Sequence, residues 1–346
     1  MATLPDDIVS EFRDFYARLY SSAAEPTPTL THSILDYLAP RIHQQLSNLE
    51  RTSMNEPIPT EELAHALKKQ KNGKSPGPDG YPTEYYKKFR GTLLPYLTRA
   101  LNTLRDGTPL HPQALQAAIT IIPKEGKDAT LCSSYRLISL LNCDFKLFAS
   151  VLAGRLQPYV PQLVRKDQVG FVPRREARDG TLRALNAVHL AQSTDCPMLL
   201  LSTDAEKAFD RVAWPFLYAT LEGMGLTGAF YTWVKALYTG PTATVRVNGA
   251  LSEPFQIRNR MQQGCPLSLL LFALESFLES IRLNPRISGL LGRNREHKIS
   301  AYADDMLFLV ADPQVSLPAI VEEFDRYCTL SNLRINMTKS EILNVN

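Results

Sequence analysis

The first sixty residues carry apolar side chains at helical spacing, separated by short polar breaks. Aromatic and apolar residues recur every three or four positions, at Phe12, Phe15, Tyr16, Leu19 and Tyr20. This spacing predicts an amphipathic helix over 8–20, which the prolines and small residues of 21–28 terminate. A second helix is predicted over 34–49. A third is predicted over 63–70, with Thr60 as its N-cap because two glutamates follow it.

Two β-type apolar runs, 117–123 and 135–141, lie on either side of a polar segment. They predict a hairpin with its tip at 124–128, which would bring Lys124 and Arg136 close together. Cations near a hairpin tip are often simply solvated. That interpretation stays open beside a role in binding an anion.

From residue 197 onward, strand and helix patterns alternate more regularly. The predicted strands are 198–203, 242–247, 254–259, 298–301, 306–310 and 341–345. The predicted helices, with two from earlier in the chain, are 85–104, 144–156, 213–222, 229–238, 267–283 and 318–330. Asn248-Gly249 predicts a type I′ turn after its strand. Elements in this order predict an α+β fold, with helices on one face of an antiparallel sheet.

Composition narrows the class of protein. Hydrophobic residues make up 44% and charged residues 21% of the 346 residues, which is typical of a folded globular chain. No apolar run approaches the roughly 18 residues of a membrane span, and the acidic N-terminus does not resemble a secretory signal. The five cysteines are widely separated, which argues against a zinc module or a disulfide framework. We therefore expect an intracellular protein that is not secreted and does not contact a membrane.

The charge is unevenly distributed. The net charge is +3 for the whole chain, but residues 1–62 carry −6 and the remainder +9. A moderately basic body slightly favours a polyanion as the partner. A lysine-rich segment with several glycines and prolines, 68–82, adds to this charge and is predicted to lack regular structure. It could be a linker, or a loop whose backbone N–H groups approach a phosphate.

Carboxylates stand at the ends of apolar strands. Asp304 and Asp305 lie between two such strands, and Asp204 follows a third. Burying a carboxylate at the end of an apolar strand costs free energy unless a cation compensates its charge. If the strands are neighbours, Asp204 and Asp304 could together hold two Mg²⁺ ions roughly 4 Å apart, as in phosphoryl-transfer enzymes. The simpler alternative is that Asp304-Asp305 only forms a turn.

Each carboxylate lies within a longer motif. The segments 302–305 (YADD), 202–210 (STDAEKAFD) and 263–268 (QGCPLS) resemble the catalytic motifs of the reverse transcriptases of non-LTR (LINE-type) retrotransposons. Further segments resemble the other motifs of that family in the same order: 74–81 (KSPGPDGY), 121–127 (IIPKEGK), 135–142, 168–183 and 332–342 (NLRINMTKSEI). The resemblance extends from about residue 8 to the end of the chain.

The resemblance implies a catalytic centre with metal ions. Asp204, Asp304 and Asp305 would be the catalytic carboxylates, and the backbone carbonyl of Ala205 a further metal ligand. The ions would be two Mg²⁺, for which Mn²⁺ is a possible substitute. Lys339 would protonate the leaving pyrophosphate, although a solvated lysine near a strand is the alternative.

It also implies a nucleotide site. Lys124 and Arg136 would bind the triphosphate of the incoming dNTP. Gln263 and Gly264 would lie against the nucleotide and template, where glycine permits close backbone approach. Phe209 stands at the position of the family's sugar gate, where its ring would exclude a ribose 2′-OH. Phe209 could equally be a core aromatic residue.

The family's architecture is a right-hand polymerase fold with fingers and a ferredoxin-like palm. The resemblance implies that the corresponding domains here would be an N-terminal helical extension (1–66), fingers (67–196) and a palm (197–346) that includes a small inserted part of the fingers. Neither the helical thumb nor an endonuclease motif is recognisable, so we expect the chain to belong to a longer polyprotein. Its partners would be template RNA, a DNA primer and dNTPs, in a nuclear and cytoplasmic ribonucleoprotein.

Three positions depart from the family pattern. Leu137 and Leu269 replace prolines, and Arg174 replaces a glycine. Losing a proline at a helix start costs pre-organisation but not the helix. Arginine for glycine is more serious if the backbone at Arg174 requires a positive φ.

These departures leave two alternatives to a reverse transcriptase. One is a catalytically weak or inactive nucleic-acid-binding remnant of a retrotransposon polyprotein. The other is an RNA-templated RNA polymerase, which Phe209 disfavours.

Overall fold

The computed structural model describes residues 4–21, 27–194, 196–205, 211–259, 265–267, 269–293, 295–336 and 338–345. The chain forms two compact units, each built from three separate segments. Unit 1 comprises Met1–Ala24, Ser47–Leu156 and Leu226–Leu267, and unit 2 comprises Glu25–Leu46, Gln157–Gly225 and Ser268–Asn346. Both contain helices and sheet, which confirms the predicted α+β class.

The helices are α1 (Pro5–Ser21), α2 (Pro28–Leu38), α3 (Asn48–Asn55), α4 (Thr60–Lys69), α5 (Thr83–Lys88), α6 (Arg90–Thr103), α7 (Cys143–Leu156), α8 (Val160–Leu163), α9 (Ala177–Ser193), α10 (Trp214–Gly223), α11 (Ala229–Leu237), α12 (Leu270–Leu283) and α13 (Pro313–Ser331). The strands are β1 (Gln116–Pro123), β2 (Tyr135–Leu141), β3 (Leu199–Thr203), β4 (Thr242–Val247), β5 (Ala250–Leu251), β6 (Phe255–Gln256), β7 (Leu290–Leu291), β8 (Glu296–His297), β9 (Ile299–Tyr302), β10 (Asp305–Val310) and β11 (Glu341–Asn344). None of the described helices is long and apolar enough to cross a membrane.

The sheet of unit 1 has the order β2-β1-β4-β5, with β6 also paired to β4. β1 and β2 form the predicted antiparallel hairpin, whereas β1 and β4 are parallel. The aromatic face of α1 packs on this sheet. Tyr20 stacks on Phe255 at 6.4 Å, and Phe12 meets Tyr135 edge-on at 5.0 Å. The amphipathic pattern of the N-terminus therefore reflects burial against the sheet of unit 1.

The sheet of unit 2 has the order β11-β3-β10-β9, and all its pairs are antiparallel. Phe308 on β10 contacts the rings of Phe277 on α12 and Phe324 on α13. The next residue, Leu309, packs instead with Ala187 of α9. Because successive strand residues point to opposite faces, helices cover both faces of this sheet. The prediction of helices on one face was wrong, and the continuous apolar run of β10 is the signal of two-sided burial.

Several predicted boundaries were also wrong. The single helix predicted over 34–49 is two helices, α2 and α3, separated by a 3₁₀ turn at Ala39–Arg41 and an irregular segment. Pro40 interrupts the helical hydrogen bonds, and Ser47 and Glu50 form a capping box that starts α3 anew. Thr60 lies inside α4, whose N-cap is Pro59.

Two other predicted elements differ from those in the structure. The helix predicted over 85–104 divides into α5 and α6 at Phe89, and the strand predicted over 254–259 is reduced to β6. In contrast, α12 forms although Leu269, rather than a proline, precedes it. The type I′ turn is confirmed by positive φ angles of 48° at Asn248 and 88° at Gly249.

Candidate active site

The pairing of β3 with β10 brings the carboxylates to one edge of the sheet of unit 2. Thr203 at the end of β3 lies opposite Met306 near the start of β10, so Asp204 follows one strand where Asp305 opens the other. Asp305 in turn pairs with Tyr302, which leaves Ala303 and Asp304 at the tip of the β9–β10 hairpin. The condition for a shared metal site, that the two strands are neighbours, is confirmed.

The hairpin tip is strained and is held by a buried amide. Ala303 is buried and adopts a positive φ of 54°, which is uncommon for a residue with a side chain. Gln168 is fully buried, donates from Nε2 to the carbonyl of Ala303 at 2.9 Å, and accepts from the backbone N–H of Ala303 at 2.8 Å. Its Oε1 also accepts from the N–H of Gly170 at 2.9 Å. The amide thus fixes both polar groups of the residue before Asp304.

Gly170 completes this brace through its lack of a side chain. A Cβ atom there would lie 2.3 Å from the backbone nitrogen of Ala303, a separation that real structures do not tolerate. Gln168 and Gly170 both fall in the motif at 168–183, but the sequence did not indicate that they touch the β9–β10 hairpin. The contact becomes visible in the folded chain, where an isolated bridge also joins Gln168 to Ala301, more than a hundred residues away.

Desolvation raises the pKa of Asp304, and the negative charges of Asp305 and Asp204 raise it further. Asp304 therefore lies within electrostatic range of both other carboxylates. In the described part of the chain, their oxygens do not all come within 4.8 Å, the spacing that would mark a ready-made cluster of ligands. Nevertheless, the donor set consists of hard carboxylate oxygens under mutual repulsion, which fits Mg²⁺.

The segment after α13 brings Lys339 to the same edge. Its ammonium donates to Oδ2 of Asp204 at 3.0 Å, and the backbone N–H of Asn336 donates to the carbonyl of Asp204 at 2.8 Å. Ala205, the other proposed ligand on this strand end, is bridged to Ile335. The structure thus gathers Asp204, Ala205 and Lys339, and adds Asn336, which the sequence pattern did not single out.

The predicted triphosphate-binding residues lie together on the hairpin of unit 1. Arg136 is exposed and pairs across the strands with Ile122, one position from the hairpin's end. Lys124 follows β1 directly, and its ammonium donates to the carbonyl of Ser133 at 2.8 Å. The connection runs from 124 to 134 and includes a 3₁₀ turn, so it is longer than the predicted tip.

Three further predicted residues, Phe209, Gln263 and Gly264, lie outside the described residues. Their assignments remain predictions.

The departure at Arg174 falls where the backbone needs glycine. Its φ is +64°, in the left-handed region that side chains disfavour. The conditional concern raised by the sequence is therefore confirmed. The neighbouring Arg175 plays a structural part, because its guanidinium donates to the carbonyls of Gln168 at 2.7 Å and Val164 at 2.9 Å.

A second group of potential metal ligands, His43, Glu275 and Glu279, lies elsewhere in unit 2. Its carboxylates already have cationic partners. Arg282 binds Glu275 at 2.8 Å and Glu279 at 2.7 Å, and Arg165 binds Glu279 at 3.0 Å. Guanidinium groups supply the charge that a metal ion would supply, so this group is an ion-pair network.

The comparisons with known proteins agree with the motifs. Residues 122–346 match the family described as reverse transcriptase (RNA-dependent DNA polymerase). The chain is 32% identical to the "Transposon TX1 uncharacterized 149 kDa protein" of Xenopus laevis over 97% of its own length and 25% of that protein. It is 25% identical to the "Retrovirus-related Pol polyprotein from type-2 retrotransposable element R2DM" of Drosophila melanogaster, over 77% of the chain and 24% of that protein.

A third relative is the "Probable RNA-directed DNA polymerase from transposon BS" of Drosophila melanogaster, 28% identical over 63% of the chain and 24% of that protein. The chain spans about a quarter of the length of these relatives. The match with the family covers well over half of the chain, including both carboxylate motifs. The chain therefore belongs to the reverse transcriptase family, and it is a reverse transcriptase domain of the non-LTR (LINE) type.

Proposed function

We propose that the chain is the core of an RNA-directed DNA polymerase, which adds dNTPs to the 3′-OH of a DNA primer on an RNA template. The observation that carries this proposal is the antiparallel pairing of β3 with β10, which sets Asp204 beside Asp304 and Asp305. Membership of the reverse transcriptase family supports the same activity.

The carboxylates of Asp204, Asp304 and Asp305, with the carbonyl of Ala205, would hold two Mg²⁺ ions. When bound, such ions polarise phosphoryl oxygens and stabilise the attacking and leaving oxygens of an in-line displacement. The protein's own contribution is to hold Asp304 in a fixed place through the buried brace on Ala303. Lys339 neutralises part of the charge of Asp204, with which it forms an ion pair at 3.0 Å, and would give a proton to the pyrophosphate.

Binding of the dNTP would draw on the remaining predicted residues. Lys124 and Arg136 would hold the triphosphate, since a guanidinium can bind two phosphate oxygens at once. Gln263 and Gly264 would lie against the nucleotide, and Phe209 would exclude the ribose 2′-OH. We propose the right-hand architecture on the same grounds, with an N-terminal extension at 1–66, fingers at 67–196 and a palm at 197–346.

The relatives are polyproteins or large transposon proteins, which suggests that this domain works within a longer chain. In that setting, an endonuclease and a thumb would accompany it, and the ribonucleoprotein would pass between cytoplasm and nucleus.

Primer extension on poly(rA)/oligo(dT) with Mg²⁺ and dTTP tests the proposal. We expect Asp304→Asn to lower extension at least roughly 1,000-fold, equivalent to about 4 kcal/mol of transition-state stabilisation. Asp325→Asn, at an exposed position on α13, is the matched control and should leave extension unchanged. Extension that survives Asp304→Asn would refute the assignment of the carboxylates.

A second candidate, a nucleic-acid-binding remnant without turnover, is favoured by one observation. Arg174 occupies a left-handed backbone position next to the loop that braces the catalytic hairpin. Salt-dependent binding of RNA by a folded protein that incorporates no dNTP would establish this alternative.

A further inference from the structure

Unit 2 contains a cavity of about 550 Å³ that none of the three catalytic carboxylates lines. Its walls are residues 43–44, most of the segment 161–167, Arg183 on α9, Arg282 on α12, and residues 295–299. The cavity lies at the first residue of β9, whereas the catalytic hairpin follows the last. The length of this strand places the two sites roughly 10 Å apart along the sheet.

The wall of the cavity is strongly basic. Six arginine and lysine side chains line it, against the carboxylates of Asp167 and Glu296. Two of the arginines have their charge matched by acids. Arg282 binds Asp167 at 2.5 Å as well as the glutamates of α12, and Arg165 binds Glu279. A third cation, Lys298, lies 3.5 Å from Glu296. These pairs account for half of the cations.

Lys166, Arg183 and Arg295 make up the other half. In the described part of the chain, none of them forms an ion pair with a carboxylate. Arg183 is fixed in place, because its guanidinium donates to the carbonyls of Asp167 at 3.0 Å and Lys166 at 2.9 Å. Carbonyl oxygens satisfy its N–H groups but do not cancel its charge. The cavity therefore concentrates uncompensated positive charge in a concave, partly desolvated space, which favours an anion.

Two histidines, His43 and His297, also line the cavity. Desolvation lowers the pKa of His297, and Arg295 and Arg183 lower it further. Desolvation also lowers the pKa of His43, and its Nδ1 is buried without a hydrogen-bond partner. Both rings are therefore neutral near pH 7. Nδ1 of His43 faces the ion-pair network, 4.0 Å from Oε1 of Glu275, so neither ring adds positive charge to the cavity.

We propose that this basic cavity binds the phosphate backbone of a polynucleotide strand. The identity of the ligand as a polynucleotide rests on the proposed function. Its chemistry rests on the unpaired cations. A free nucleotide is the less fitting occupant, because none of the described residues that line the cavity is a phenylalanine, tyrosine or tryptophan, the larger rings on which bases stack. Contacts with phosphate groups alone position a strand without reading its sequence.

The cavity and the catalytic hairpin share one segment of chain. Lys166 and Asp167 line the cavity, and the next residue, Gln168, braces the hairpin tip. This segment is fixed to β9 by two backbone hydrogen bonds. The N–H of Ala301 donates to the backbone carbonyl of Asp167, and the N–H of Val169 donates to the carbonyl of Ala301, both at 2.9 Å. A strand held in the cavity is thus attached to the same rigid segment that fixes Asp304.

Fluorescence anisotropy with labelled single-stranded RNA and with DNA of the same sequence tests the proposal, with the full chain and without dNTPs. The double variant Lys166→Gln/Arg295→Gln removes two solvent-exposed cations of the cavity. We expect it to bind both strands roughly 10-fold more weakly. A plot of the logarithm of its binding constant against the logarithm of the salt concentration should have a slope that is shallower by about 1.4. This is the change expected for two lost phosphate contacts on a single strand. The matched control is Arg286→Gln/Arg326→Gln, two exposed arginines that do not line the cavity.

Equal losses in the cavity variant and the control would overturn the proposal, because they would show a general effect of net charge. Unchanged binding and salt dependence in the cavity variant would also overturn it. A competition with inorganic pyrophosphate separates the remaining case. If the cavity variant no longer binds pyrophosphate but still binds the polynucleotide as the parent does, the cavity is a small-anion site and the proposal is wrong. Asp304→Asn should leave strand binding intact, so that loss of polymerisation and loss of this site are measured separately.

Discussion

The molecule carries two β-hairpins with proposed catalytic tasks, and they are built in opposite ways. The β9–β10 hairpin turns through Ala303 and Asp304 alone, and a fully buried glutamine fixes its tip. The β1–β2 hairpin has a connection from 124 to 134, and its Arg136 is exposed. A metal-binding carboxylate must keep its geometry through every cycle. A group that binds the triphosphate must release pyrophosphate, and a looser, solvated hairpin suits that task.

Breaking the rigid hairpin should have the largest effect. Gly170→Ala places a Cβ where 2.3 Å separates it from the backbone of Ala303, so the tip must move. A displacement of about 1 Å at a catalytic group can cost roughly 100-fold in rate, and we expect at least that loss in kcat for primer extension. Gly91→Ala is the control, because a Cβ there meets nothing within 4 Å. A folded Gly170→Ala protein with normal kcat would show that the brace does not position Asp304.

The helix behind the looser hairpin provides a test in unit 1. Burial, and next the charge of Asp79, raises the pKa of Asp144 from 3.8 to about 6. Between these values the folded state holds a proton that the unfolded state has lost, so stability falls as pH rises from about 4 to about 6 and stays lower above that. Ionisation of Asp144 therefore lowers the free energy of unfolding by up to about 3 kcal/mol.

Asp144→Asn removes this cost while keeping an oxygen to accept from the N–H of Phe145. We therefore expect the variant to be more stable than the parent at pH 7.5 by about 2 to 3 kcal/mol, and similar near pH 3, below both pKa values, in urea unfolding. The same difference at both pH values would exclude ionisation of Asp144 as the cause.

Weakening the exposed hairpin should change substrate affinity more than turnover. Arg136→Gln removes a guanidinium that would bind two phosphate oxygens, and we expect KM for dNTP to rise roughly 10-fold with a small change in kcat. Arg136→Lys should recover only part of this affinity, since an ammonium cannot bind both oxygens in the same way. Arg99→Gln, at an exposed position of α6, is the control. A fall in kcat at constant KM would instead assign Arg136 to the chemical step.

The smallest effect concerns the segment that braces the rigid hairpin. Arg174→Gly relieves a positive φ of 64° and should stabilise the fold by about 1 kcal/mol. Arg174→Ala keeps the backbone strain and should give no gain. Equal melting temperatures for the two variants would show that the backbone at this position carries no strain.

The sequence predicted the parts of the site that lie on strands. Continuous apolar runs marked β3 and β10, and the carboxylates at their ends could be expected to meet once the strands paired. The brace of Gln168 on Ala303 could not be predicted in this way, because it joins residues 135 positions apart through one buried amide. The basic cavity could not be predicted from the sequence either. Its charge depends on which cations find acids in the folded chain, and residue types alone do not tell Arg183 from Arg282.

Some errors arose from signals that were present in the sequence. The capping box at Ser47 and Glu50, together with Pro40, divides the helix predicted over 34–49. Likewise, the unbroken apolar run of β10 already indicated that both faces of its sheet are covered. Periodicity taken alone hid both features, because it registers how often apolar residues occur and not where a helix must begin again.

The interleaving of the two units along the chain has a consequence for biosynthesis. β1 lies beside β4, whose first residue follows more than a hundred positions later, and the segment between them includes much of unit 2. A ribosome that has released residue 156 has therefore supplied only two strands of the unit 1 sheet. Closing so long a loop before its contacts form slows folding. The nascent chain must leave the edge of β1 unpaired for many seconds of translation, at a rate of about 5–20 residues per second. During that interval the hydrophobic strand is open to aggregation, and a chaperone that covers it should raise the yield of soluble protein.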